Sequence, residues 1–225
     1  DKISFKIKAG EKLGIIGKVG SGKTTLLNLV NRLYDVDEGK IIICGNNIKD
    51  FKLNKLRNLI GNVTQNSFLF SESIKDNISF GKIDATLNEI KEACKYAVIH
   101  NSIIGFKNGY QTLLGERGLT LSGGQIQRIT IARALIKNPK ILLFDDCLSS
   151  VDTNTEKKIL INLKRTCQNK TTIVVSNRIS SVRDADKIIV LEDGKIVELG
   201  DHKTLIKNKN YYYELFNKQE YEKEL

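Results

Sequence analysis

Gly17-Lys18-Val19-Gly20-Ser21-Gly22-Lys23-Thr24 lies between two unlike stretches. Before it, residues 12–16 form an apolar run that reads as a strand; after it, residues 25–33 carry Leu26, Leu27, Leu29, Val30 and Leu33 at helical spacing. The octapeptide fits G-x-x-x-x-G-K-[ST] in the strand-to-helix context that the pattern requires. Its glycines let the backbone wrap so that N–H groups face phosphate oxygens, and the helix N-terminus adds unpaired donors and its dipole. In that arrangement Lys23 reaches the β/γ-phosphates of a nucleotide and Thr24 ligates Mg²⁺. The candidate nucleotide-binding stretch therefore runs from Gly17 through Thr25.

A site of this kind needs an acidic anchor for the metal at the end of a neighbouring strand. Ile141-Leu142-Leu143-Phe144-Asp145-Asp146 supplies it, with Asp145 placed for Mg²⁺ and Asp146 placed to orient or polarise the attacking water. Four apolar residues and an aspartate are weak evidence alone. Paired with the phosphate loop, they point to ATP hydrolysis.

The pattern around these motifs alternates strand and helix. Residues 40–44, 60–64, 140–144 and 171–175 read as strands, residues 156–163 as a helix, and residues 187–191 and 195–199 as a hairpin around Asp193-Gly194. Buried β runs separated by helices predict a mostly parallel sheet covered on both faces. The middle differs. Residues 86–100 open with a capping box, Thr86 and Glu89, and continue with Leu87, Ile90, Cys94, Ala97 and Val98 on one stripe. The expectation is an α/β core, residues 1–66 and 138–225, split by a helical lobe, residues 67–137.

Composition bounds the rest. At 225 residues the length prior is about 1.5 domains. The chain is 40% hydrophobic and 28% charged, which excludes disordered and fibrous classes. No run approaches the roughly 20 apolar residues of a membrane span. Methionine is absent, and the chain reads as a piece of something longer. Cys44, Cys94, Cys147 and Cys167 are far apart without a CxxC pair, which argues against a zinc site or a disulfide framework. The net charge of +10 permits an anionic partner, but the lysines are scattered and read as a solvated surface.

Leu121-Ser122-Gly123-Gly124-Gln125 opens a helical stretch, residues 126–136, and resembles the signature of ATP-binding cassette proteins. Small residues at a helix N-terminus again make an anion site. In the resembled family, Ser122, Gly123, Gly124 and Gln125 would bind the γ-phosphate of ATP held by a second cassette, so that two cassettes sandwich two nucleotides. Further elements occur in the family's order. Gln65 looks like the glutamine that senses Mg²⁺ and water, and Ser149-Ser150-Val151-Asp152 looks like the D-loop. Gly115-Glu116-Arg117-Gly118 is similar to the X-loop of exporter-type cassettes, and the stretch 70–81, with Ser73-Ile74-Lys75-Asp76-Asn77-Ile78, also resembles exporters.

The resemblance implies a P-loop NTPase (RecA-like) core with an antiparallel β subdomain and an inserted α-helical subdomain. It implies ATP and Mg²⁺ as ligands, with Thr24, Gln65 and Asp145 around the metal. It implies two partners: a second cassette, and a transmembrane domain of the same parent chain reached through the Q-loop and X-loop at the cytoplasmic face of a membrane. A soluble cassette ATPase of nucleic-acid repair or translation is the competing class. It usually carries coiled-coil insertions or tandem cassettes, neither of which occurs here, and no nucleic-acid partner is expected.

Two positions depart from the family. Its catalytic glutamate is replaced by Asp146, and its switch histidine, in Val174-Val175-Ser176-Asn177-Arg178, by Asn177. Aspartate retracts the charge by one methylene, roughly 1–1.5 Å, which can cost on the order of 10²-fold in rate. Asparagine cannot carry a proton charge as histidine does. With Asp146, Gln65 and Asn177 as its catalytic set, the site is expected to bind ATP but turn it over slowly, pairing with a competent, non-identical cassette. A homodimer in which Asp146 suffices is the alternative. The adenine-stacking aromatic of the family is expected upstream of Asp1, and Phe5 is expected to pack in the core.

Overall fold

A computed structural model describes residues 3–115, 121–166 and 169–224. In chain order the regular elements are β1 (Lys12–Gly17), α1 (Lys23–Val30), β2 (Ile42–Ile43), β3 (Asn46–Asn47), α2 (Leu53–Leu59) and β4 (Ile60–Val63). There follow α3 (Ile74–Ser79), α4 (Leu87–Tyr96), α5 (His100–Ile104), α6 (Gly123–Ile136), β5 (Ile141–Asp145), α7 (Thr153–Thr166) and β6 (Thr171–Val175). The chain ends with α8 (Ile179–Val182), β7 (Lys187–Glu192), β8 (Lys195–Gly200), α9 (His202–Asn208) and α10 (Tyr211–Glu224). Two compact units emerge. The first is Asp1–Ile60, Lys140–Asp146 and Asn169–Leu225; the second is Gly61–Pro139 and Cys147–Gln168.

In the first unit five strands lie in the order β5-β6-β1-β7-β8. The pairs β5–β6, β6–β1 and β1–β7 are parallel, with Leu143 opposite Ile173 and Ile15 opposite both Val175 and Ile189. The central strand is apolar on both faces, and Leu13, Ile15 and Ile16 are buried, as a parallel sheet requires. Gly14 is small for a local reason: a Cβ there would lie 2.7 Å from Val182 Cβ, so α8 rests directly on β1. The antiparallel edge, β7–β8, turns at Asp193 (φ 47°) and Gly194 (φ 73°), consecutive positive-φ residues that suit a tight hairpin. The core cluster joins Leu13, Ile15, Leu27, Leu143, Ile173 and Ile189, with Phe5 packed against it. The α/β, mostly parallel architecture read from the sequence is the one observed. The stretch around residues 40–44 is shorter than expected: Ile42–Ile43 pairs antiparallel with Asn46–Asn47 as a small separate ribbon.

The second unit is helical. Helices α3 and α4 both pack on α6, with Ile74, Ile78, Ile90, Cys94 and Ile129 fully buried. The capping box at Thr86 forms as read, Thr86 accepting from Glu89 N–H and Glu89 accepting from Thr86 N–H. The helix it opens ends sooner than the apolar stripe predicts. Val98 adopts φ 55°, and its carbonyl accepts a 2.7 Å bond from Arg128 of α6, so a tertiary clamp breaks the helix and α5 starts anew. Among the described residues no helix is long and apolar enough to cross a membrane.

Candidate nucleotide site

The phosphate loop lies in the first unit, between the end of β1 and the start of α1. Gly20 and Gly22 take φ 84° and 97°, values that an L side chain resists. The loop is anchored from two sides. Ser21 N–H donates to Lys18 O at 3.2 Å, and Gly194 N–H of the β7–β8 turn donates to Ser21 O at 3.2 Å. The Lys23 ammonium folds back over the loop and donates to Gly17 O at 2.7 Å and Lys18 O at 2.8 Å. Two features match a phosphate ligand. Helix α1 has no side-chain cap and no acidic residue in its first turn, which leaves its N-terminal dipole uncompensated. Ser21 Oγ is buried without a hydrogen-bond partner.

Beside this loop stand the acidic residues. Asp145 ends β5, is only 5% exposed and accepts a hydrogen bond from Thr24. Burial raises its pKa, while the Thr24 bond and the Lys23 charge oppose the rise. Burial likewise lowers the pKa of Lys23, against the pull of Asp146 and Asp145. A carboxylate and a hydroxyl side by side are hard oxygen donors suited to Mg²⁺, whose charge would also relieve the buried Asp145. Lys23, Thr24, Asp145 and Asp146 thus converge in one unit.

Asp146 follows with φ 42°, and its N–H donates to Val175 O at 2.8 Å. Asn177 Nδ2 donates to Asp146 Oδ2 across 3.4 Å. Sequence reasoning missed the residue behind this pair. Gln219 of α10 donates from Nε2 to Asn177 O at 2.7 Å and accepts from Ile179 N–H at 2.8 Å. No local pattern links residues 42 positions apart.

The other candidate residues belong to the second unit. Gln65 follows β4 at an exposed bend. Ser122 caps α6 in a reciprocal box: Gln125 N–H donates to Ser122 Oγ at 3.3 Å, and Ser122 N–H donates to Gln125 Oε1 at 2.9 Å. The box rests on the segment read as the D-loop. A Cβ on Gly124 would lie 2.8 Å from Ser150 O, and buried Gln127 donates to Ser149 Oγ at 3.3 Å and accepts from Ser150 N–H at 3.1 Å. Gln127 is a second residue the sequence did not flag, although a glutamine inside an otherwise apolar helix face was a usable signal. Of the X-loop, Glu116, Arg117 and Gly118 lie outside the described residues, as does Cys167.

In the exporter-like stretch, Asn77 is fully buried and bonds Phe70 through both its N–H and its carbonyl, at 2.8 and 3.0 Å. Arg133 locks it, donating to Asn77 Oδ1 at 2.8 Å, to Asn77 O at 2.7 Å and to Phe68 O at 2.9 Å.

Residues 1–149 match the family described as ABC transporter, and the chain belongs to that family. It is similar to the putative multidrug export ATP-binding/permease protein YgaD of Bacillus subtilis, 45% identical over 96% of this chain and 37% of that protein. It is equally similar, at 45% over 96% of this chain and 36% of that protein, to the ATP-dependent lipid A-core flippase of Syntrophus aciditrophicus. Among solved structures, a bacterial Atm1-family ABC exporter with ATP bound superposes with a TM-score of 0.94 at 41% identity, covering 96% of this chain and 38% of that one. The chain therefore spans little more than a third of the length of these relatives. It is the ATP-binding, ATP-hydrolysing cassette of an ABC transporter, similar to the cassettes of these exporters.

Proposed function

We propose that this cassette drives an exporter by closing on a second cassette around two ATP molecules, and that its own phosphate loop binds ATP but hydrolyses it slowly. Gly17–Thr25 hold the phosphates, with Lys23 neutralising the β/γ oxygens. Thr24 and Asp145 would hold Mg²⁺, which would supply charge neutralisation on the transferred phosphoryl group, and Gln65 is proposed as a further ligand on the family resemblance alone. Asp146 orients the water, and Asn177 steadies Asp146. Ser122–Gln125 present the anion site of α6 to the nucleotide of a non-identical partner, whose site carries most of the turnover. Gln65 and the 115–118 segment connect to a membrane domain, with the cassette at the cytoplasmic face.

The observation that carries the slow-site reading is the pairing of Asp146 with Asn177, a short carboxylate bonded at 3.4 Å to a neutral amide. The Asn177 amide cannot take up a proton to become a cation, as an imidazole can. The test is the identity of the bound nucleotide after the chain is incubated with saturating Mg-ATP, filtered free of excess and denatured. Recovery of mostly intact ATP after minutes is expected; recovery of ADP would overturn the slow-site reading.

A further inference from the structure

We infer that Gln219, on the last helix of the chain, is a positioning residue for hydrolysis, holding the backbone that carries Asn177. The inference rests on the reading of Asp146 and Asn177 as the groups that face the attacking water. Helix α8 has only four residues, and its N-cap, Arg178, makes no side-chain capping bond. The first N–H of α8, on Ile179, is instead satisfied by Gln219 Oε1 at 2.8 Å. The same amide donates from Nε2 to Asn177 O at 2.7 Å. One planar group therefore grips the chain on both sides of Arg178, while Ser176 Oγ accepts from Arg178 N–H at 3.0 Å.

Every bond in this clamp acts on main chain. The Asn177 side chain is exposed, and its bond to Asp146 is the long one, 3.4 Å. A fixed backbone is what aiming a side chain requires, because loss of either amide bond shifts the pivot rather than the rotamer. The helix that carries Gln219 also approaches the other end of the site: Lys18 of the phosphate loop lies 5.6 Å over the ring of Tyr211 and pairs with Glu192 at 3.0 Å. Helix α10 thus touches both the phosphate loop and the segment that carries Asn177.

The two arms of the amide can be separated by substitution. Gln219→Glu keeps the acceptor toward Ile179 and loses the donor toward Asn177. Gln219→Leu loses both. The experiment measures kcat and KM for Mg-ATP in the 225-residue chain, with hydrogen exchange at the Ile179 amide as an independent readout and Asp146→Ala as a parallel arm. Gln219→Glu is expected to lower kcat about tenfold, as for a reacting group displaced by a fraction of an ångström, with KM within about twofold and Ile179 exchange still slow. Gln219→Leu is expected to lower kcat at least as far and to speed exchange at Ile179. An unchanged kcat in Gln219→Glu, with Asp146→Ala impaired, overturns the inference alone and leaves Gln219 a helix cap. An unimpaired Asp146→Ala overturns the reading of the site itself, and the role of Gln219 with it.

Discussion

Asn177 reaches Asp146 through a single amide-to-carboxylate bond of 3.4 Å, at the long end of hydrogen-bond geometry. The backbone of Asp146 is anchored where it stands. Its N–H is tied to Val175 O at 2.8 Å and its φ of 42° already sits in the left-handed region. In the proposed slow site the charge is present but held back.

In the proposed site the loop's grip on phosphate would depend first on Lys23. Its ammonium is partly buried and satisfied by Gly17 O and Lys18 O, from which it is released toward a ligand of greater negative charge. Lys23→Ala should weaken ATP binding by roughly 10²-fold, equivalent to about 3 kcal/mol of charge-assisted contact. Equilibrium titration with ATP checks this, and unchanged affinity would contradict the assignment of the loop.

Gly123 and Gly124 look alike in sequence and differ in space. An added Cβ on Gly124 meets the Ser150 carbonyl at 2.8 Å, whereas on Gly123 it meets Ser150 Cβ at an ordinary 3.5 Å. Gly124→Ala should destabilise the chain by about 1–3 kcal/mol, because backbone must move. Gly123→Ala should stay within about 0.5 kcal/mol of the parent. Urea unfolding midpoints separate the two, and equal midpoints would show that the D-loop segment yields freely.

Much of this was legible because it is local. The phosphate loop is written in eight consecutive residues, the strands as apolar runs, and the cap at Thr86 as residues three apart. The break at Val98 and the role of Gln219 were not legible, because each acts through a partner far along the chain. Arg128 ends the helix before Val98 from 30 positions away, and Gln219 holds Asn177 from 42. Periodicity reports which face is buried and is silent on which carbonyl a distant guanidinium or amide will claim.

Acid should loosen helix α4 through its cap. Glu89 accepts from Lys82 and from the Thr86 N–H, and these bonds, the lysine's first, hold its pKa at about 2, against an ordinary value of 4.5. A carboxylate with a depressed folded pKa stabilises fully above its unfolded value and loses that contribution as pH falls through the folded one. The parent should therefore lose thermal stability faster than Glu89→Gln between about pH 4.5 and 2, the two converging at the acid end. Parallel melting curves across that window would contradict the role of the cap.

The most direct test of the slow site restores what the family pattern has and this chain lacks. Steady-state phosphate release from saturating Mg-ATP should rise by at least tenfold, and up to roughly 10²-fold, in the Asp146→Glu, Asn177→His double variant, with ATP affinity little changed. A double variant that binds ATP and turns over no faster than the parent would contradict it.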